Sequence, residues 1–250
     1  MEGIMFNTKC IGMAALILGL SAGAGANAAG ASRAEIKTFN VQLIDLDPAD
    51  GITPAISYDS QTWVEAFVGV YTRTEYHEDF RISYGTLIGA YDSGGAVTTV
   101  EPGSMSSEAQ SWGIDTLAYS RGAQGLSFWL TPNTAAVFTA EVALALERES
   151  GDTALAWLGM SGNVWEGPSF TSELHAPATP LSYAASSTLN GTLESGGSLA
   201  MGQLNLWTQA SLLTAAPVPE PASWAMLLAG LGLGAATAAG RGARGRRRTV

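Results

Sequence analysis

The sequence predicts an all-β fold: an antiparallel β-sandwich or jelly-roll-like body, flanked by an N-terminal signal helix and a C-terminal transmembrane helix. Three observations predict the body. Apolar side chains alternate with period two, turn residues recur about every ten residues, and no segment keeps a 3.6-residue apolar period. We expect residues 1–28 to form the signal peptide, residues 29–217 the sandwich and residues 218–250 a C-terminal membrane signal.

The N-terminus is typical of a secretory signal peptide. Lys9 precedes an apolar run from Cys10 to Leu20, and Ala26 and Ala28 supply the small residues that signal peptidase requires. The run is about half of the ~20 residues that a membrane helix needs, which favours a cleaved signal over a lasting anchor. Cys10 is the only cysteine, so the mature chain has no disulfide, thiolate nucleophile or cysteine ligand for a metal.

Several segments of the body are predicted to be strands. The clearest runs from Ala135 to Glu147, where Phe138, Val142 and Leu146 fall on one face and Thr139, Glu141 and Glu147 fall on the other. Further strands are predicted over Thr62–Thr72, Phe80–Tyr91 and Leu199–Leu213, which are rich in β-branched, aromatic and other apolar residues.

Turn residues punctuate these strands. They are Asp50-Gly51, Asp92–Gly95, Pro102-Gly103, Pro132-Asn133, Ser150–Asp152, Asn190-Gly191 and Ser195–Gly197. Among them, Asn190-Gly191 predicts a two-residue β-hairpin, because both residues tolerate the positive φ of a type I′ turn. Residues 166–180 contain Pro168, Pro177 and Pro180 and are predicted to be a long loop.

The net charge of the body argues against one class of function, the binding of nucleic acid. The whole chain carries a net charge of −10, but five of its twelve basic residues lie in the last ten positions. Residues 29–217 hold six basic and twenty acidic residues, a net charge of −14. Such a body repels phosphate backbones, so we expect no binding of nucleic acid.

The C-terminus combines a short motif, an apolar span and an arginine cluster. The motif is Val218-Pro219-Glu220-Pro221, and the uncharged stretch Pro221–Gly240 follows it. As a helix, this stretch would span about 30 Å, the thickness of the hydrocarbon layer, with Trp224 at the interface. The cluster is Arg241, Arg244, Arg246, Arg247 and Arg248, which the positive-inside rule places in the cytoplasm.

This order of motif, glycine-rich span and arginine tail resembles the PEP-CTERM sorting signal of exopolysaccharide-producing Gram-negative bacteria. The resemblance covers residues 218–248 and implies recognition by exosortase, a membrane-embedded cysteine transpeptidase that cuts near the motif. It also implies export, transient residence in the inner membrane, and delivery to the cell surface or exopolysaccharide matrix. Gly230 and Gly234 form a small-xxx-small pair, which we interpret as the glycine richness of such tails rather than as a docking site.

Two groups of residues in the body could bind a cation. Asp45, Asp47 and Asp50 precede Gly51 in a compact segment, as a Ca²⁺ loop would require, but position 12 of an EF-hand loop would be Ile56. We therefore favour an acidic turn and expect no cofactor. His77 and His175 have carboxylates nearby, yet no His-x-His or His-x-x-x-His pair prearranges a zinc site.

No motif of nucleophilic catalysis is present, since no Gly-x-Ser-x-Gly sequence occurs. We therefore expect a structural or adhesive module without enzymatic activity. The alternative is a secreted polysaccharide hydrolase or carbohydrate-binding protein on the same scaffold. Six tryptophans lie in the body, and aromatic faces stack on sugar rings. Trp112 and Trp165 have turn-like neighbours and are the two that we expect to be exposed.

Overall fold

The computed structural model describes residues 30–59, 63–113 and 115–215. These residues form thirteen β-strands and no helix, arranged in two antiparallel sheets, which confirms the all-β prediction. The predicted signal helix and transmembrane helix lie outside the described residues, within which no helix is long and apolar enough to cross a bilayer. All thirteen strands of the described residues lie within the unit Met1–Ala215.

The first sheet has six strands. They are β1 (Gly30–Asp45), β5 (Gly85–Tyr91), β6 (Gly94–Glu101), β7 (Ser104–Ser111), β9 (Thr134–Arg148) and β12 (Ser182–Glu194). Their order across the sheet is β12-β9-β1-β7-β6-β5. The long strand β1 pairs with both β9 and β7, and its ladder with β9 shifts register between Ile36 and Thr38.

The second sheet has seven strands. They are β2 (Ile56–Tyr58), β3 (Trp63–Tyr71), β4 (Tyr76–Arg81), β8 (Leu117–Leu130), β10 (Thr153–Val164), β11 (Ser169–His175) and β13 (Ala200–Leu213). Six of them follow the order β11-β10-β13-β8-β3-β4, and β2 pairs with the end of β8. Strand β13 is central, because it pairs along its length with β10 on one side and β8 on the other.

The strand predictions with the strongest alternation are confirmed. In β9 the predicted apolar face, which includes Phe138, Val142 and Leu146, is buried. Strands β3 and β13 match the predicted segments to within about one residue. The predicted strand Phe80–Tyr91 is instead two strands, β4 and β5, which residues 82–84 separate. Part of the predicted loop 166–180 is strand β11, because residues Ser169–His175 complete a ladder with β10.

The hairpin prediction at Asn190-Gly191 was wrong. Both residues lie inside β12, which pairs with β9 without interruption from Ser182 to Glu194. Gly191 has a packing role: a Cβ atom at this position would collide with the ring of Phe170. The side chain of Asn190 stays exposed and donates a hydrogen bond to the carbonyl oxygen of Thr188.

The core lies between the two sheets. Its centre is Phe138 in β9, whose ring centroid is 6.1 Å from Phe39, 5.7 Å from Phe128 and 6.0 Å from Phe170. Aliphatic side chains from both sheets surround these rings, among them Ile36, Leu158 and Leu204. Because this cluster takes residues from both sheets, its burial holds the two layers together.

Hydroxyl groups join the sheets in another part of the interior. Thr98 of the first sheet donates to the carbonyl oxygen of Phe67 at 2.8 Å, and its hydroxyl lies 2.6 Å from that of Ser120 in the second sheet. Ser107 and Thr208 form a similar pair at 2.8 Å. All four of these hydroxyl-bearing residues are fully buried. Their hydrogen bonds satisfy groups that would otherwise destabilise the interior.

Candidate functional site

The outer face of the seven-stranded sheet carries a set of tryptophans. Trp157 in β10 lies between the buried residues Ala156 and Leu158, so its side chain points to the opposite, outer face. The same alternation places Trp207 between Leu206 and Thr208 in β13. Trp63 in β3 and Trp129 in β8 lie on this face too, with 42% and 38% of their surfaces exposed.

Three of these tryptophans line a groove of about 460 Å³. The groove crosses the middle of the sheet, and its lining includes residues of β3, β8, β10, β11 and β13. The residues that line it include Trp63, Arg121, Trp157, Glu173, Asn205, Trp207 and Gln209. Ala123 lies between the aromatic residues and has a small side chain, which leaves space above β8. The groove therefore combines aromatic rings with amide and charged groups.

The aromatic rings on one side of the groove contact each other. Trp157 stacks on His175, with ring centroids 5.2 Å apart and an interplanar angle of 14°. Trp207 meets Trp157 edge to face at 6.1 Å. The indole N–H groups of Trp157 and Trp207 are buried and have no acceptor among the described residues. Packing, rather than hydrogen bonding, therefore holds these two rings in place.

Glycines on neighbouring strands make room for the tryptophan rings. A Cβ atom at Gly159 would lie within 3.0 Å of the Trp207 ring, and a Cβ atom at Gly125 would collide with the indole of Trp63. Neither contact is possible for a residue with a side chain, because real Cβ atoms do not come so close. Gly159 and Gly125 therefore allow the indoles to settle against the sheet.

Each carboxylate near the groove is paired with a cation-forming side chain. An oxygen of Glu173 lies 3.0 Å from Nε2 of His175, and an oxygen of Glu65 lies 4.0 Å from Nη1 of Arg121. Strand register places Glu173, Gly159, Trp207, Ala123 and Glu65 in one row across the sheet. With about 4.8 Å between strands, the backbones at Glu173 and Glu65 are about 19 Å apart.

The sequence prediction about exposed tryptophans was half right. Trp165 is 69% exposed in the turn after β10, as expected. Trp112 is only partly exposed, because its ring contacts Gly95 and its indole nitrogen donates to the carbonyl oxygen of Asp92 at 2.6 Å. Trp63, Trp157 and Trp207 were missed. The sequence did contain this information for Trp207. Leu204, Leu206 and Leu212 occupy even positions and face the core, so Trp207, at an odd position of the same strand, must face outward.

Asp45, Asp47 and Asp50, the weak Ca²⁺ candidates, stabilise the backbone of their own turn. Asp45 accepts a hydrogen bond from the backbone N–H of Asp47, Asp47 from that of Ala49, and Asp50 from that of Ile52. The described residues contain no group of three or more His, Cys, Asp or Glu placed to hold a metal ion. This geometry is that of an acidic turn.

The two histidines lie at opposite edges of the seven-stranded sheet. His77 is in β4, where its ring stacks on Tyr91 with centroids 4.4 Å apart. His175 is in β11, beside Trp157 and Glu173. Because four strands lie between β4 and β11, the two rings cannot share one ion.

The predicted sorting residues lie outside the described part of the chain. They are Val218, Pro219, Glu220 and Pro221 of the motif, Trp224, Gly230 and Gly234 of the span, and Arg241, Arg244, Arg246, Arg247 and Arg248 of the tail. Residues 217–248 match the family model of the PEP-CTERM protein-sorting motif. The chain thus carries this motif, which exosortase recognises and which implies export and membrane-anchored sorting. No curated protein matches the chain, and no solved structure does.

Proposed function

We propose that this chain is an envelope protein without enzymatic activity that binds polysaccharide at the cell surface or in the exopolysaccharide matrix. Signal peptidase releases it from its leader, and the inner membrane holds it until exosortase acts on the PEP-CTERM motif. The observation that carries the binding function is the groove between Trp63, Trp157 and Trp207 on the outer face of the seven-stranded sheet.

The chemistry of the groove suits a sugar. The C–H face of a pyranose ring is apolar and stacks on an indole, while its hydroxyl groups need donors and acceptors at the ring edge. The indoles of Trp157 and Trp207 offer the apolar surface. Asn205 and Gln209 offer amide groups, each of which can both donate and accept hydrogen bonds. Few precisely placed polar groups in a mostly aromatic cleft are typical of ligand sites.

A polysaccharide hydrolase on the same scaffold is the rival function. Glycoside hydrolysis needs two carboxyl groups about 5–10 Å apart, on either side of the bond that breaks. Glu173 is the one carboxylate among the described residues that line this groove, and it pairs with His175. Glu65 does not line this groove: it lies four strands from Glu173, with about 19 Å between the backbones, and its carboxylate pairs with Arg121. This arrangement supports binding over cleavage.

Sedimentation with insoluble polysaccharides tests the proposal. The full-length protein, in a detergent without sugar headgroups, is mixed with cellulose, chitin, curdlan and xylan, and bound protein and released sugar are both measured. We expect retention without product. Trp207→Ala should weaken retention about fivefold, since one aromatic contact contributes about 1 kcal/mol.

The matched control is Trp129→Ala, because Trp129 lies on the same face but does not line the groove. We expect it to bind as the unaltered protein does, and the melting temperatures of both variants show that each is folded. Equal loss of retention in both variants would contradict the groove as the binding site. Soluble sugar released by the protein would support the hydrolase instead.

A further inference from the structure

A second groove of about 510 Å³ lies beside the first. Its lining includes Trp63, Glu65, Phe80, Ile82 and Tyr84. It opens where β4 ends: the ladder between β3 and β4 stops at the pair Ala66 and Arg81, whereas β3 continues back to Trp63. From Trp63 to Glu65, β3 still pairs with β8 on one side. Its other edge, which faces β4 elsewhere, has no strand partner there among the described residues. Phe80 and Ile82 are 55% and 75% exposed.

The two grooves share a wall. Trp63 lines both of them. The pair Glu65 and Arg121 joins them as well, because Glu65 lines the second groove and Arg121 lines the first, with 4.0 Å between their charged atoms. Together the grooves extend across β10, β13, β8 and β3 to the end of β4, a path of about 19 Å at the usual strand spacing.

We propose that one uncharged polysaccharide chain lies across both grooves, with Trp63 as the platform between them. This inference rests on the proposed function and names its ligand class: an extended, uncharged glycan bound along its length rather than a single terminal sugar. Continuity through Trp63 is the reason for assigning the second groove to the same chain.

The second groove has polar groups as well as apolar ones. The hydroxyl of Tyr84 accepts a hydrogen bond from the side-chain amide of Gln124 at 2.7 Å, so its own proton is free to be donated to a ligand. Burial, with a smaller effect of the nearby Glu101 carboxylate, raises the pKa of Tyr84 and keeps this proton in place. The carboxylate of Glu65 is an acceptor. A glycan presents apolar ring faces and, at the ring edges, hydroxyl groups. Exposed apolar side chains next to a hydrogen-bond donor and an acceptor can contact both.

Charge restricts the class of glycan. The described residues hold six basic and twenty acidic side chains. Near the grooves, Arg121 pairs with Glu65 and His175 pairs with Glu173. Arg81, between Phe80 and Ile82, is opposite the buried Ala66 on the other face of β4 and donates to the carbonyl oxygen of Thr86 at 3.1 Å. The cations beside the grooves are thus already engaged or face away from a sugar carboxylate or sulfate. An anionic chain would meet the repulsion of the whole body, and an uncharged chain would not.

The test measures affinity against chain length. The probes are cello-oligosaccharides of two, four and six residues, uncharged hydroxyethyl cellulose, and anionic carboxymethyl cellulose on the same backbone. Binding to the full-length protein in sugar-free detergent is followed by tryptophan fluorescence. We expect affinity to rise about tenfold from the disaccharide to the hexasaccharide, as a second set of contacts is added. Carboxymethyl cellulose should bind at least about tenfold more weakly than the uncharged polymer.

Variants separate this inference from the proposed function. Ile82→Ser should bring the affinity for the hexasaccharide down to that for the disaccharide. Its control is Ile88→Ser, an exposed isoleucine of β5 that lines neither groove, which should keep the gain with length. Equal affinity for short and long fragments, or an unchanged gain in Ile82→Ser, would overturn the two-groove inference alone. Preference for the anionic polymer would overturn the uncharged class. Failure of every probe to bind, together with no retention on cellulose, chitin, curdlan or xylan, would contradict the proposed function itself.

Discussion

Gly159 of β10 faces the indole of Trp207 on the neighbouring strand β13, so closely that a Cβ atom at position 159 would lie within 3.0 Å of the ring. The glycine thus affects the groove, through the position of Trp207, although it does not line it. Its role is to let Trp207 pack against the sheet, where its ring meets that of Trp157 in an edge-to-face arrangement with centroids 6.1 Å apart.

Gly159→Ala should weaken polysaccharide binding about tenfold while the sandwich stays folded. The added methyl group forces the indole of Trp207 out of its position, at a cost of about 1–3 kcal/mol for overpacking. Retention on the best-bound polysaccharide and the melting temperature measure the two effects. Gly196→Ala is the control, because nothing lies within 4 Å of its Cβ position. Unchanged binding in Gly159→Ala would separate Trp207 from ligand recognition.

Thr98→Val should lower the free energy of unfolding by about 1–3 kcal/mol, the cost of losing buried hydrogen bonds. The substitution keeps the shape of the side chain but removes its bonds to the Phe67 carbonyl and to Ser120. Urea unfolding measures the change. Thr86→Val is the matched control: its hydroxyl makes a similar bond to Thr99 at 3.1 Å, but the bond is exposed. We expect a change there within about 0.5 kcal/mol. Equal losses of unfolding free energy in Thr98→Val and Thr86→Val would show that the buried Thr98 hydroxyl stabilises the fold no more than the exposed one of Thr86.

Stability at acid pH should depend on Asp50. The side-chain amide of Asn133, 2.7 Å from Oδ2, and then the backbone N–H of Ile52 hold the pKa of Asp50 below its ordinary value of 3.8. A carboxylate with a lowered pKa in the folded state stabilises that state fully above its unfolded pKa. This contribution is lost as the pH falls through 3.8 and then through the folded value.

Asn133→Gly should raise the pKa of Asp50 toward 3.8, as measured by NMR titration of its carboxyl carbon. Glycine is the suitable replacement because residue 133 has φ of 53°. The part of the acid-range stability loss that comes from Asp50 should shrink correspondingly. Asp50→Asn provides the reference in which this group no longer titrates. A pKa of Asp50 that is the same with and without the Asn133 side chain would assign the shift to the turn backbone instead.

Glu220→Ala should leave full-length protein in the inner membrane. Pro219 and Pro221 lack backbone N–H groups and restrict the residues before them, which favours an extended segment ahead of the predicted span. Glu220 is the one charged residue of that motif, and we expect exosortase to need it. Immunoblotting of membrane and surface fractions measures the outcome, with Glu194→Ala in the body as the control. Normal surface delivery of Glu220→Ala would contradict recognition through this side chain.

Local patterns were sufficient for the fold class but not for every element. Alternation in β9 identified both the strand and its buried face, because one side of the strand faces the core along its whole length. Asn190-Gly191 has the composition of a turn, yet the contact between Gly191 and Phe170 decides its structure. Phe170 is distant in sequence, so no local pattern contains that information. The position of β1 between β9 and β7 depends on pairing between distant strands for the same reason.

The candidate site was predictable only in part. The sequence showed that tryptophans were numerous, and turn-like neighbours correctly identified Trp165 as exposed. The groove, however, requires residues of five strands to meet on one face, which depends on strand order and register. Trp112 shows the opposite failure: its turn-like setting suggested exposure, but the turn between β5 and β6 supplies the Asp92 carbonyl oxygen, which accepts a hydrogen bond from its indole N–H.

Strand β13 carries Trp207 and also leads directly toward the sorting motif, which begins at residue 217. Seven residues after Trp207, the buried hydroxyl of Thr214 donates to the Gly113 carbonyl, and the N–H of Ala215 donates to Asp152 at 2.9 Å. While the chain is still anchored and a glycan occupies the groove, any tension between membrane and glycan passes through this one strand. This strand is hydrogen-bonded to β8 on one side and to β10 on the other. A load applied at the end of β13 is therefore shared among the hydrogen bonds of both ladders.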